Sequence, residues 1–193
     1  MTALLDLEGH LVFYRSYHNN HKNVSIHVCC IPVILITAIG ILSPVELFGN
    51  FYPYINLGSL LALTYGLYYI ALDWKLGTPS AVFLLSVAYL LKLVYLDLGT
   101  SSEEFTKTHF IYTCVSLHVL SWLAQFYGHF VYEKRAPALL DNLLQAVVLA
   151  PYFVVFELAF WLGYRLDLKK SMDNRVGVLI RDLKLREKAA HGQ

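Results

Sequence analysis

Charge is scarce in this chain. Of its 193 residues, 15% are Asp, Glu, Lys or Arg and 57% are hydrophobic, against about 25% charged and about 45–50% apolar in an ordinary soluble domain. The formal net charge is only +1. No basic stripe of the kind a nucleic-acid binder needs is present, so a nucleic-acid partner is excluded. Cysteine is also sparse: Cys29 and Cys30 are adjacent, Cys114 stands alone, and no C-x-x-C occurs. That count and spacing exclude both a disulfide framework and a zinc–thiolate site. The G-x-S-x-G elbow of serine hydrolases and the glycine-rich phosphate loop are missing. Repeated H-x-x-x-H and H-x-x-H-H boxes, which would supply a di-iron site, are missing too; His18 and His21 form the only near match. The N-terminus places Asp6 and Glu8 where a secretory signal needs positive charge, and it is expected to be retained.

What the chain has instead is long stretches without charge. Residues 24–45, 47–72 and 108–132 contain no Asp, Glu, Lys or Arg. Residues 76–96 are interrupted only by Lys92, and residues 142–164 carry Glu157 and Pro151. Crossing a hydrocarbon core about 30 Å thick takes about 20 largely apolar helical residues, so each window qualifies. Polar hinges at residues 73–79, 99–104 and 133–137 separate them. Tyr and Trp gather near the window ends, as at Tyr52, Tyr54, Tyr68, Tyr69, Trp74, Tyr95 and Tyr164, in the manner of interfacial aromatic belts. The expected fold is all-α: a single polytopic membrane domain over residues 1–193 with four to five membrane helices. Residues 1–23 form an amphipathic interfacial segment with Leu4, Leu5, Leu11, Val12 and Tyr14 on its apolar side. Membrane helices fill residues 24–165, and residues 166–193 form a polar, basic helix. Keeping Arg15, Lys22, Lys134, Arg135 and the basic tail on the cytosolic side requires an even number of crossings. The 142–164 window is the expected exception, broken or re-entrant, because of Pro151 and the cost of Glu157 in lipid.

Eight histidines are more than such a chain needs for packing. His10 and His191 lie in polar end segments and read as surface residues; His109 opens a charge-free run and reads as a cap or as a residue facing the interface. His18, His21 and His27 cluster at the entrance to the first membrane window. Imidazole binds metals in its uncharged form near neutral pH, and the Asn-rich stretch between the three can turn. A second set, His118, Trp122, Gln125, His129 and Glu133, shares one helical face. His118 and His129, however, are about 16 Å apart along a straight helix, too far for one ion; His129 and Glu133 are within reach of each other. Glu157, among apolar neighbours, requires a partner: a histidine, Lys134 or Arg135. On the residues alone three readings stand level. They are a mononuclear iron oxygenase, a zinc-dependent lipid hydrolase or isomerase, and a non-enzymatic transporter or scaffold that uses the stripe as a relay.

Two motifs separate these readings. Phe13-Tyr14-Arg15-Ser16-Tyr17-His18-Asn19-Asn20-His21-Lys22-Asn23-Val24-Ser25-Ile26-His27, followed by Ile31-Pro32, resembles the opening of the fungal 2-hydroxy fatty acid dioxygenase family. So does Trp122-Leu123-Ala124-Gln125-Phe126-Tyr127-Gly128-His129 with Glu133 to Leu143, continuing through Gln145 to Leu149-Ala150-Pro151-Tyr152-Phe153 and Glu157. The resemblance spans nearly the whole chain and keeps motif order. It implies a multi-pass endoplasmic reticulum enzyme that uses Fe(II) and O2 to shorten 2-hydroxy long-chain fatty acids by one carbon in the degradation of phytosphingosine. The family pattern carries onto His18, Asn23, His27, Gln125, His129, Glu133 and Glu157, and leaves out His10, His21, His109 and His118. On this expectation His18, His27 and His129 bind the iron. Glu133 is a fourth ligand or an orienting partner, with Gln125, Glu157 and Asn23 in supporting catalytic roles. The substrate carboxylate and 2-hydroxyl meet the metal, and Lys134 or Arg135 draws the carboxylate in.

Overall fold

The structure, a computed structural model, describes residues 4–98, 106–134 and 142–191. The hinge at residues 99–104 and Arg135 lie outside the described residues, as does the side chain of His191. The chain separates into two compact units, Met1–Ser25 with Gly128–Gln193, and Ile26–Tyr127.

In the first unit, α1 (Leu7–Tyr17) begins where the Asp6 side chain accepts from the Gly9 N–H at 2.9 Å. Glu8 in its first turn and Arg15 in its last suit the helix dipole. Leu11 and Tyr14 of the expected apolar face are buried inside the protein together with Tyr17, whereas Leu4 and Leu5 are exposed. The partners of α1 are α6 (Ala150–Trp161), α7 (Leu166–His191) and the π-helical segment Leu144–Leu149. The tail helix α7 is correspondingly more than a solvated appendage. Met172 and Val176 are buried, the Ser171 hydroxyl donates to Glu8 at 2.7 Å, and Arg175 meets the same carboxylate at 3.1 Å. Ser171 and Arg175 hold the Glu8 carboxyl below its ordinary range.

The second unit holds most of α2 (His21–Leu42), then α3 (Leu57–Leu72), α4 (Trp74–Asp97) and α5 (Lys107–Gly128). Asp73 ends α3 and caps α4, accepting from the Leu76 N–H at 3.4 Å. The two helices then pack back to back, with Gly66 against Ala81 so closely that a side chain at 66 would strike the Ala81 backbone. Lys92, the single charge in its window, is fully buried. Its ammonium is bound by Glu46 at 2.7 Å and the Ser43 carbonyl at 3.1 Å, which is how a membrane helix tolerates a lysine.

Among the described residues, four helices are long and apolar enough to cross a membrane: His21–Leu42, Trp74–Asp97, Lys107–Glu133 and Leu144–Trp161. Large apolar side chains such as Val82, Phe83, Leu90, Leu120 and Leu123 are exposed on α4 and α5, where lipid is their natural solvent. This is a helical membrane protein. The short element is not the one expected. Residues 142–164 yield a helix long and apolar enough to span, whereas the 47–72 window yields only α3, 16 residues long. Its first part is diverted into a loop. Gly49 takes a left-handed φ of 61°, and the Leu47 and Leu57 N–H groups donate to Ile55 and Val45. Asn56 then starts α3 in a capping box with Ser59. The irregularity expected at Pro151 is real but mild. Pro151 lacks an N–H, and next to it the helix changes from π to α.

Candidate metal centre

His18 follows directly on α1. Its Nδ1–H donates to the Tyr14 carbonyl at 2.8 Å, and its ring stacks on Tyr14 with centroids 4.1 Å apart. Because Nδ1 carries the proton, the neutral ring presents the lone pair of Nε2. His129 opens a π-helical turn, His129–Glu133, at the end of α5; its ring meets that of His18 edge-on at 4.9 Å. His27 stands one turn beyond Asn23 on α2, which runs unbroken through Ser25 and Ile26. One ligand atom from each of His18, His27 and His129 lies within 4.8 Å of the others, and all three residues are buried. Three neutral imidazoles of this spacing suit a first-row divalent metal, with positions left open for other ligands.

Glu133 hydrogen-bonds to two residues at the start of α2. One of its carboxylate oxygens accepts from the Asn20 N–H at 3.0 Å and from Asn23 Nδ2 at 3.1 Å. Those bonds tie the π turn that carries His129 to the start of the helix that carries His27. Among the described residues Glu157 pairs with neither a histidine nor Lys134; its partner is Arg15 at 3.5 Å, which also faces Asp173 at 3.7 Å. Lys134 is exposed with φ 52°. Gln125 is buried, and its amide nitrogen makes no hydrogen bond among the described residues.

The histidines outside the cluster are accounted for individually. His21 is exposed. Thr106 donates its N–H to His109 Nδ1 at the start of α5, the expected cap. His118 accepts from the Trp122 indole at 3.1 Å, so its Nδ1–H donates to the Thr37 hydroxyl at 3.0 Å, and that hydroxyl donates to the Val33 carbonyl. It is a structural histidine. His10, expected at the surface, is 1% exposed. Its Nε2–H donates to the Leu4 carbonyl at 3.2 Å, and its Nδ1 accepts from the Gln145 amide at 2.6 Å. The sequence pattern offered no sign of this, because Gln145 is 135 residues away. Tyr14 was also underestimated. Read as one residue of an apolar stripe, it is the ring against which His18 rests.

Apolar helices of spanning length and a buried three-histidine cluster define a helical membrane protein with a candidate metal centre. The family model for Mpo1-like proteins, described as 2-hydroxy-palmitic acid dioxygenase Mpo1-like, matches residues 4–162. A protein of Saccharomyces cerevisiae named 2-hydroxy-palmitic acid dioxygenase MPO1 is 36% identical over 183 residues, covering 95% of this chain and 97% of the yeast protein. The chain belongs to the Mpo1-like family. No solved structure matches it significantly.

Proposed function

We propose that this protein is an Fe(II)-dependent dioxygenase that cleaves 2-hydroxy long-chain fatty acids between C1 and C2, consuming O2 and releasing the acid one carbon shorter. The observation that carries this reading is the convergence of three buried imidazoles within 4.8 Å, in a chain similar over nearly its full length to a protein named a 2-hydroxy-palmitic acid dioxygenase. His18 through Nε2, His27 and His129 would hold the iron. Bound there, Fe(II) supplies Lewis acidity and the redox chemistry of O2. The three imidazoles leave positions for oxygen donors, of which a 2-hydroxy acid has two, its carboxylate and its hydroxyl. Glu133 keeps the His27 and His129 segments in register through Asn20 and Asn23. Gln125, Asn23 and Glu157 are assigned supporting roles, Glu157 by holding Arg15 next to the turn that presents His18. The burial of all three imidazoles excludes bulk water, which favours productive over wasteful oxidation. The apolar surfaces of the membrane helices suit an acyl chain.

The reading extends to place and context: an endoplasmic reticulum membrane, breakdown of sphingoid bases, and both termini in the cytosol. Four spans form an even number, and α1 contacts α7 through Glu8, Ser171 and Arg175; both observations favour termini on one side.

The test uses detergent-purified protein with 2-hydroxypalmitate, Fe(II) and an oxygen electrode. O2 uptake coupled stoichiometrically to pentadecanoic acid supports the assignment. Turnover with Zn(II) and no O2 uptake would transfer it to a zinc hydrolase.

A further inference from the structure

Tyr14 carries a polar group that the fold does not use. Its side chain is 5% exposed, and its hydroxyl has no hydrogen-bond partner among the described residues. Buried hydroxyls without partners are uncommon, and each calls for an explanation. Its ring is fixed on both sides, against His18 at 4.1 Å and against Phe153 at 4.6 Å. Its backbone is fixed as well, since its carbonyl accepts the His18 Nδ1–H. The residue that sets the orientation of a cluster imidazole therefore also holds a spare hydroxyl beside it.

The surrounding groups narrow what that hydroxyl can bind. A phenol is protonated near neutral pH, so the hydroxyl can donate. The nearby carboxylates are engaged elsewhere. Glu133 accepts from Asn20 and Asn23, and Glu157 from Arg15. A neutral donor in a buried site forms its strongest hydrogen bond with a charged acceptor.

We propose that the Tyr14 hydroxyl is a substrate-binding group that donates a hydrogen bond to the carboxylate of the acid held at the three-histidine cluster. The inference rests on the reading of that cluster as the site of a 2-hydroxy acid, and it adds a specificity element for the carboxylate. Tyr14 selects acids over alcohols of the same chain length.

The experiment measures binding without turnover. Full-length protein in detergent is loaded with Co(II), and the visible spectrum of the metal is titrated with 2-hydroxypalmitate or with hexadecane-1,2-diol, which has no carboxylate. Tyr14→Phe removes only the hydroxyl and keeps the stacked ring. It is expected to retain full Co(II) content and an unchanged thermal midpoint, to bind the acid about ten-fold more weakly or worse, and to bind the diol as wild type does. Equal affinity of Tyr14→Phe and wild type for the acid overturns the inference and leaves the dioxygenase reading intact. Equal weakening for acid and diol, or loss of Co(II), also overturns it, by making the hydroxyl structural. Failure of wild-type protein to bind the acid at all removes both the inference and the reading beneath it. Tyr14→Leu, which loses the ring, is expected to lower Co(II) retention, so the effect of the stack is read separately from that of the hydroxyl.

Discussion

His18 donates its Nδ1 proton to the carbonyl oxygen of Tyr14 across 2.8 Å. That single bond selects the tautomer and leaves Nε2 free, so the two ring nitrogens have separate duties. Asparagine places an N–H near the position of Nδ1 but has nothing at Nε2. His18→Asn is therefore expected to fold and accumulate while its metal affinity falls by at least about 10–100-fold, the loss already typical of changes one shell further out. Metal analysis after gel filtration, alongside thermal unfolding, checks this.

Glu133 joins the two segments that bear His27 and His129. Glu133→Ala removes a charged acceptor from two N–H donors and is expected to cost about 1.5–3 kcal/mol per bond lost, with metal affinity falling about 10–100-fold. Glu133→Gln retains an acceptor oxygen and should land between wild type and Glu133→Ala in both respects. Chemical denaturation followed by tryptophan fluorescence, with metal content measured in parallel, separates the two effects.

The Arg15–Glu157 pair predicts an asymmetry. The Glu157 side chain is 8% exposed and that of Arg15 18%. Arg15→Leu strands the more deeply buried charge, whereas Glu157→Leu leaves Arg15 still facing Asp173. Removing one partner of a buried pair costs about 3–5 kcal/mol. Arg15→Leu is expected near the upper end, Glu157→Leu below it, and the double variant less destabilised than Arg15→Leu alone. Thermal unfolding of all three in the same detergent gives the order.

Acid stability has an identifiable contributor in Glu8. Its carboxyl is held below its ordinary range by Ser171 and Arg175, so between the folded and unfolded pKa values the unfolded chain binds more protons. The α1–α7 contact is thus fully stabilising above about pH 4.3, the ordinary glutamate value, and is lost as pH falls through the depressed folded value. Glu8→Gln should flatten the acid limb of a plot of thermal midpoint against pH and leave the neutral region nearly unshifted.

Much of this architecture was legible in the sequence, because lipid imposes a simple rule: long uncharged runs must be helices. That rule marked five windows, which include all four helices of spanning length among the described residues, but it did not tell which of the five falls short. It was blind to where a run stops being helical without any charge, so the loop before α3, made by Gly49, Pro53 and the Asn56 cap, went unseen. Helical spacing set His118 and His129 on one face but about 16 Å apart, and the structure separates them accordingly: His118 bonds Thr37 and Trp122, while His129 begins a π turn. The meeting of His18 with His129, like those of Glu157 with Arg15 and His10 with Gln145, depends on contacts between residues more than 100 positions apart. No local period encodes such contacts, and for the cluster it was family resemblance that supplied the missing information.

The most direct test of the central claim is the iron content of anaerobically purified protein, wild type against His129→Ala, with O2 uptake on 2-hydroxypalmitate recorded on the same samples. The account predicts one Fe(II) per chain in the wild type and substrate-dependent O2 uptake, both lost in a His129→Ala protein that still accumulates and unfolds cooperatively. Wild-type iron content and O2 uptake in His129→Ala would contradict it.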